Sequence, residues 1–295
     1  EGSELIQRLT TGGTLPVITS CSPGWIKFIE HFYPELLPNL STCKSPQQMF
    51  GALAKTYYAK KAGIDPASIF VVSIMPCTAK KFEAARPEMN ASGYRDVDVV
   101  LTSRELGRMF RESGVDWGRL ADEEFDDPLG RSTGAAAIFG ATGGVMEAAL
   151  RTAYELVTKK ELKNLDFVAV RGMTKIKEAT IDLDGTKINV AVAHGLGNAK
   201  ELLERIKRGE KTYHFVEIMA CPGGCIGGGG QPIKTTNAVR EQRIDAIYRE
   251  DKRMPLRKSH ENPAITQIYA EFLGQPLGHK SHELLHTHYT AREKV

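Results

Sequence analysis

Short runs of valine and isoleucine, separated by helical patterns, constrain this chain more than any other feature. The runs are Leu15 to Ser20, Ser68 to Met75, Val97 to Thr102, Phe167 to Arg171, Ile188 to Ala193 and His214 to Met219. Their apolar stretches are close to continuous, which suits strands covered on both faces in a largely parallel sheet. Helical periodicity falls at Gly2 to Thr10, Trp25 to Phe32, Pro46 to Ala62, Ser103 to Ser113, Val145 to Lys159, Asn198 to Arg208 and Pro263 to Leu273. Ser45 before Pro46 is a helix-start signal, with an N-cap side chain followed by proline at the first helical position. Alternating strands and helices predict an α/β fold. The polar stretch Gly114 to Thr133 divides the strands three and three. The expectation is therefore two lobes, residues 1–130 and 131–295, each a mostly parallel twisted sheet flanked by helices. The active site is expected between them, with a C-terminal helical tail on the second lobe.

Composition removes several classes of function. Lys and Arg number 39 against 36 Asp and Glu, a net charge of +3, and both signs are scattered. No basic stripe interleaved with aromatics appears, so nucleic acid is not an expected partner. The longest apolar stretch, Ile69 to Met75, is far below the roughly 20 residues of a membrane span. The chain opens Glu1-Gly-Ser-Glu-Leu, with neither an initiator methionine nor a signal segment, and reads as the middle of a longer protein.

The cysteines carry the chemistry. There are five, and Cys21, Cys77, Cys221 and Cys225 lie in turn sequences rich in proline or glycine, while Cys43 reads as core. An odd, sparse set does not make a secreted disulfide framework. Each of the four follows a predicted strand: LPVITS runs into Cys21-Ser-Pro-Gly-Trp, SIFVVSIM into Pro76-Cys77-Thr-Ala-Lys, and HFVEIM into Ala220-Cys221-Pro-Gly-Gly-Cys225 and then Ile226 and Gly227 to Gly230. Ligands in open α/β sheets bind beyond the carboxyl ends of strands, so three such turns could converge on one site. Paired C-x2-C knuckles for structural zinc are absent, as is a C-x-x-C redox motif. An iron–sulfur cluster accommodates several thiolates from scattered positions, and flanking glycines let backbone approach it.

The three turns, in this order, resemble the signature motifs of the [FeFe]-hydrogenases. They are Thr19-Ser-Cys-Ser-Pro-Gly-Trp25, Met75-Pro-Cys-Thr-Ala-Lys-Lys-Phe-Glu83 and Glu217-Ile-Met-Ala-Cys-Pro-Gly-Gly-Cys-Ile-Gly-Gly-Gly-Gly-Gln-Pro232. The resemblance extends through Phe139-Gly-Ala-Thr-Gly-Gly-Val145 and Lys258-Ser-His-Glu-Asn262, and so over nearly the whole chain. It implies reversible reduction of protons to dihydrogen at a six-iron, oxygen-sensitive site. That site is a [4Fe-4S] cluster joined by one cysteine to a two-iron subsite carrying CO, cyanide and a bridging dithiolate.

Position by position, Cys77, Cys221 and Cys225 resemble the cluster ligands, Cys225 being the bridging thiolate. Lys80 resembles the cyanide-binding lysine, and Met75, Met219, Pro46, Gln47 and Phe139 fall on pocket positions. Cys21 matches the proton-relay thiol, continued by Glu1, Ser41, Glu4 and Arg8. Taken alone, Glu1, Glu4 and Arg8 are one helical face with an ordinary i,i+4 ion pair. The commoner motif has a second cysteine where Ser22 stands. Either Ser22 oxygen completes the cluster, or Cys21 ligates and the relay changes, or the variant is inactive. Implied partners are ferredoxin or iron–sulfur and flavin subunits, possibly linked to NAD(P), together with maturation proteins, in the cytoplasm. The competing readings are a catalytically silent sensor, an iron–sulfur assembly protein, and a zinc- or cluster-stabilised scaffold. His194-Gly-Leu-Gly197 reads as a turn, and His282 with His286 as a terminal helix whose spacing zinc could use.

Overall fold

The computed structural model describes residues 1–294. Their architecture is α/β with parallel-dominated sheets, as the strand and helix pattern predicts. The strands are β1 (Val17–Ile18), β2 (Val72–Met75), β3 (Val99–Thr102), β4 (Ile176–Leu183), β5 (Thr186–His194) and β6 (Phe215–Met219). The larger sheet has the order β1-β6-β5-β4, with β1, β6 and β5 parallel and β4 antiparallel at the edge. Strands β2 and β3 form a separate parallel pair.

Strand periodicity explains why the larger sheet is covered twice. Val190, Val192 and Phe215 project to one side and pack with Leu5 of helix Gly2–Thr11 and with Met146 and Leu150 of helix Gly144–Thr158. Ala191, Ala193, Val216 and Ile218 project to the other. There they meet Trp25 and Ile29 of helix Pro23–Phe32 and Leu202 and Leu203 of helix Leu196–Lys207. Every residue of β6 is buried, so its apolar run, broken only by Glu217, is the signature of a strand with no wet face. Each fully buried large side chain contributes roughly 1.5–3 kcal/mol.

Three features differ from the sequence reading. The strand expected at Phe167 to Arg171 is a single tight turn, Val168–Val170, in which Val168 is exposed and only Val170 enters the core. The edge position is taken instead by β4, whose many charged and polar residues hid it. Asp184 and Gly185, both at positive φ (55° and 97°), close the β4–β5 hairpin, a turn that favours an Asp-Gly pair. Finally, the strands divide two and four, because β1 pairs with β6 rather than with β2. Its two residues face opposite cores, Val17 one and Ile18 the other, a burial that only a place in the larger sheet provides.

The C-terminal segment returns to the beginning of the chain. After helices Asn237–Arg253 and Pro263–Ile268, helix His279–Leu285 delivers a tail that pairs with residues 42–44. Lys44 donates its amide to Leu285 at 2.9 Å and Thr287 donates to Thr42 at 2.7 Å. Arg292 then reaches the buried Glu30 carboxylate at 2.7 Å.

Candidate functional site

Parallel pairing of β1 and β6 aligns the first and third cysteine turns. Val17 pairs with Phe215 and Ile18 with Val216, so both strands point the same way and their following turns emerge side by side. The Thr19 hydroxyl accepts the Ile218 amide at 3.2 Å, and Ser22 Oγ accepts the Ala220 amide at 3.2 Å, beside Cys221. The second turn is joined to the third by backbone: Gly230 donates to the Pro76 carbonyl at 3.0 Å. A Cβ on Gly228 would lie 2.0 Å from that same carbonyl oxygen, and one on Gly230 would lie 2.8 Å from the Cys77 amide nitrogen. The glycine run exists so that two main chains can touch here.

Together these contacts bring Cys21, Cys77, Cys221 and Cys225 to one place. Burial pushes the Cys225 thiol up to about 11, with Cys77, Cys221 and Glu217 adding to the rise and Lys80 opposing it. Cys221 is raised by burial and by Cys77, against the Gly229 amide. Burial holds Cys21 well above the ordinary thiol range, as does Glu1, while Lys80 acts in the opposite direction. Thiols buried in this way give up their protons only where positive charge is placed among them, as a bound metal would do.

The spacing distinguishes among metals. A single tetrahedral zinc with Zn–S near 2.3 Å requires thiolates about 3.8 Å apart. Among the described residues, the cysteines do not form a group of three donors within 4.8 Å of one another; Glu155, His260 and Glu261 do. That other group is already neutralised, because Lys258 Nζ bonds Glu155 at 2.7 Å and Glu261 at 2.6 Å. Several thiols carried by three turns into one glycine-lined place fit a polynuclear cluster.

Lys80 is buried between the Cys21 carbonyl and the Glu83 carboxylate, both at 2.9 Å. An ammonium has three N–H groups, so one remains without a protein acceptor among the described residues. Glu83 is itself fixed by Ser45 at 2.8 Å and Gln47 at 2.7 Å. Pro46 starts helix Pro46–Leu53, Met75 ends β2, Met219 ends β6, and Phe139 packs beside Ile138 and Ile226.

The remaining sequence-selected residues form a partly connected line. Arg8 Nη2 and Ser41 Oγ each donate to the buried Glu4 carboxylate at 2.6 Å. Burial alone would raise Glu4, but Ser41, Arg8 and the Thr42 amide hold it below the usual carboxylate range. Glu1 Oε1 accepts the Ser20 amide at 3.3 Å. Cys21 makes no direct hydrogen bond to Glu1, nor Glu1 to Ser41, among the described residues.

Sequence reading passed over His194. It ends β5 beside Met219, and its Nδ1 accepts the Gly223 amide of the Cys221–Cys225 turn at 3.1 Å. Its Nε2 therefore carries the hydrogen and donates to the Met173 carbonyl at 3.1 Å. Burial, with Lys177 and Arg240 nearby, holds this imidazole low against the Met173 carbonyl. The signal lay in register: in a parallel sheet the residue ending β5 adjoins the one ending β6. His194→Leu strands a buried amide, and thermal unfolding should register a loss of about 1–3 kcal/mol. An unchanged midpoint would mean that the turn does not depend on this bond.

The family described as iron only hydrogenase large subunit, C-terminal domain, matches residues 1–229. The chain belongs to the iron-only hydrogenases. Residues 237–292 match the iron hydrogenase small subunit, so this family member joins in one chain two segments that the family also describes separately. It is 54% identical to NADP-reducing hydrogenase subunit HndD of Solidesulfovibrio fructosivorans over 100% of this chain and 52% of that protein. It is 46% identical to iron hydrogenase 1 of Clostridium pasteurianum over 98% of this chain and 51% of that protein. The chain thus spans about half the length of these relatives. A solved variant of [FeFe]-hydrogenase HydA1 from Chlamydomonas reinhardtii superposes with a TM-score of 0.86 at 47% identity, covering 99% of this chain and 81% of that one. Proteins named as cytosolic iron–sulfur assembly factors are also similar, at 33% and 36% identity.

Proposed function

We propose that the protein carrying this chain interconverts dihydrogen with two protons and two electrons at an iron centre seated among the three cysteine turns. The convergence of Cys77, Cys221 and Cys225 in a glycine cradle, in a chain that belongs to the iron-only hydrogenases, carries this reading. Cys77, Cys221 and Cys225 would hold a [4Fe-4S] cluster, with Cys225 bridging to a two-iron subsite bearing CO, cyanide and a dithiolate. When bound, that group supplies the iron at which hydrogen is made or split.

The chain's own residues do the rest. The unpaired N–H of Lys80 suits a cyanide, while Met75, Met219, Pro46, Gln47 and Phe139 exclude water from the pocket. Cys21 takes and gives protons at the buried end, and Glu1, Ser41, Glu4 and Arg8 carry them outward, because an apolar interior passes protons only between groups that bind and release them. The Ser22 bond to the Ala220 amide sets its oxygen beside Cys221, which supports Ser22 as the fourth ligand and leaves Cys21 for the relay. Electrons would arrive from ferredoxin or from iron–sulfur and flavin partner subunits. HndD, named as an NADP-reducing hydrogenase subunit, makes an NAD(P)-linked assembly the favoured setting, and maturation proteins would deliver the two-iron subsite. No helix among the described residues is long and apolar enough to cross a membrane; action in the cytoplasm is part of the same proposal.

Anaerobic reconstitution of the [4Fe-4S] cluster, addition of a synthetic two-iron precursor, and parallel infrared and dihydrogen measurements test this. Protein-bound CO and cyanide bands with turnover are expected. Bands without turnover would favour the second reading, a silent sensor or assembly protein, to which Ser22 and the assembly-factor relatives lend weight. Cys21→Ala should cut turnover by about two or more orders of magnitude, the scale of a lost proton-transfer group, with iron content intact. Loss of iron in that variant would make Cys21 the ligand instead.

A further inference from the structure

The buried carboxylate of Glu4 touches a second row of proton-carrying groups outside the Cys21-to-Arg8 line. Thr42 Oγ1 lies 3.4 Å from Glu4 Oε1 and 2.7 Å from His286 Nδ1. His286 stacks on His282, with ring centroids 4.0 Å apart and planes within 15°. His282 is exposed, His286 half-buried and Glu4 buried. A row of groups able to exchange protons therefore runs from the relay carboxylate to the half-buried His286, whose ring lies face to face with that of the exposed His282.

The arrangement is held in register by backbone. Cys43 and His286 form an antiparallel bridge. The amide bonds from Thr287 to Thr42 and from Lys44 to Leu285 flank it, and the His286 amide closes the helix on the His282 carbonyl at 3.2 Å. A histidine on a free tail would have no reason to meet one particular hydroxyl; here the ladder allows little else. A threonine hydroxyl offers one donor and two acceptor sites. Passing a proton outward requires the hydroxyl to donate to Nδ1 while Nε2 carries the ring hydrogen.

The groups facing His286 are Glu4 from the first helix, Cys43 and Lys44 from the paired segment, and His282 from its own helix. Burial pushes its imidazole down to about 4, His282 and Lys44 add to this, and Glu4 opposes it. The ring is thus neutral at ordinary pH and holds an added proton only in passing.

We propose that Thr42, His286 and His282 form a second exit for protons from Glu4, so that the C-terminal segment contributes groups to the proton path. This rests on the reading of Glu4 as a relay carboxylate given above. Protonated Glu4 passes its proton to the Thr42 oxygen while the Thr42 hydroxyl proton moves to His286 Nδ1. His286 then yields its Nε2 proton to water or to His282 and regains its starting tautomer by exchange with water. No electron moves, and each group returns to its initial state. Both histidines lie in residues 237–292, the part matched by the small subunit description.

Two measurements test the exit. In the metal-free chain, nitrogen-15 NMR of the imidazoles should show the His286 Nδ1 resonance move in Thr42→Val, which removes its donor. The His286 titration midpoint should rise in His282→Gln. An unmoved Nδ1 resonance would overturn the exit. In the matured protein, exchange of deuterium gas with water should slow by roughly threefold or more in His286→Gln, with the CO and cyanide bands unchanged. Added imidazole should restore the rate in His286→Gly. Equal exchange in wild type and His286→Gln would also overturn it. A wild type that forms the bands yet exchanges no deuterium would instead overturn the hydrogenase reading and the exit together, a result that no histidine variant produces.

Discussion

Gly228→Ala is expected to cost the protein its iron while leaving its helices in place. The added Cβ would sit 2.0 Å from the Pro76 carbonyl oxygen and 3.0 Å from that of Cys225. Both obstacles are backbone, so no side chain can swing away. Side-chain Cβ contacts essentially never fall below 3.0 Å, so the second and third cysteine turns would have to part by about 1 Å (3.0 minus 2.0). Metal–ligand distances tolerate only about 0.2 Å, and the thiols on either side of this contact are Cys77 and Cys225. Iron and sulfide per chain after anaerobic reconstitution should fall to a small fraction of wild type, with far-ultraviolet circular dichroism unchanged. Gly107→Ala is the control, since a Cβ there meets nothing within 4 Å and alanine suits the middle of a helix better than glycine. Wild-type iron in Gly228→Ala would mean that the touching main chains do not position the thiols.

The Gly228 contact also marks how far the sequence could be read. Cys21, Cys77, Cys221 and Cys225 were legible because each follows an apolar run, and strand ends in a parallel sheet open on the same side. The glycines between Cys225 and Gln231 announced a close approach, but not to which segment; Pro76 is about 150 residues earlier in the chain. The pairing of β1 with β6 was hidden for the same reason. A buried strand shows that it is covered on both faces and says nothing about which neighbour bonds to its edges. Strand β4 was hidden by Lys177, Glu178, Thr180 and Asp182, which suit an edge strand and break the apolar pattern.

The polar residues were harder still. Glu4 and Arg8 looked like a helical ion pair, and they are one, at 2.6 Å. What distinguishes Glu4 is Ser41, which reaches it from 37 positions away, together with its burial. No local pattern encodes either. His194 looked like the start of a turn because its partners, Met173 and Gly223, come from other segments. The cysteines carried in motifs were visible, whereas the residues that orient those motifs through tertiary bonds were not.

The largest effect on stability is expected from Arg151→Leu, at a residue the sequence placed in an ordinary helix. Arg151 has no exposed side-chain surface. It bonds Asp251 twice, at 2.8 Å each, Glu147 at 2.7 Å, and the carbonyls of Leu165 and Arg257 at 3.0 and 2.9 Å. It therefore ties helix Gly144–Thr158 to helix Asn237–Arg253, across the boundary between the segments matched by the large- and small-subunit descriptions. Leucine fills much of the space but leaves two buried carboxylates short of a partner. Breaking a buried ion pair from one side costs about 3–5 kcal/mol, or on the order of 10 °C in Tm for a chain of this size. Arg108→Leu, which breaks a pair exposed by 73% and 62%, should move Tm hardly at all.

The pH dependence identifies the cause. Burial would raise Asp251, but Arg151 and Arg257 hold it below its ordinary value. A depressed folded pKa adds stability above the unfolded value, near 3.9, and that stability is lost as pH falls through the folded value. Arg151→Leu lets the Asp251 pKa rise, so its deficit should be full at neutral pH and should shrink as pH drops below about 4. Calorimetry or denaturant titration at pH 7 and near pH 3 reads the difference. A deficit of equal size at both pH values would make the loss one of packing, with the carboxylates playing no part.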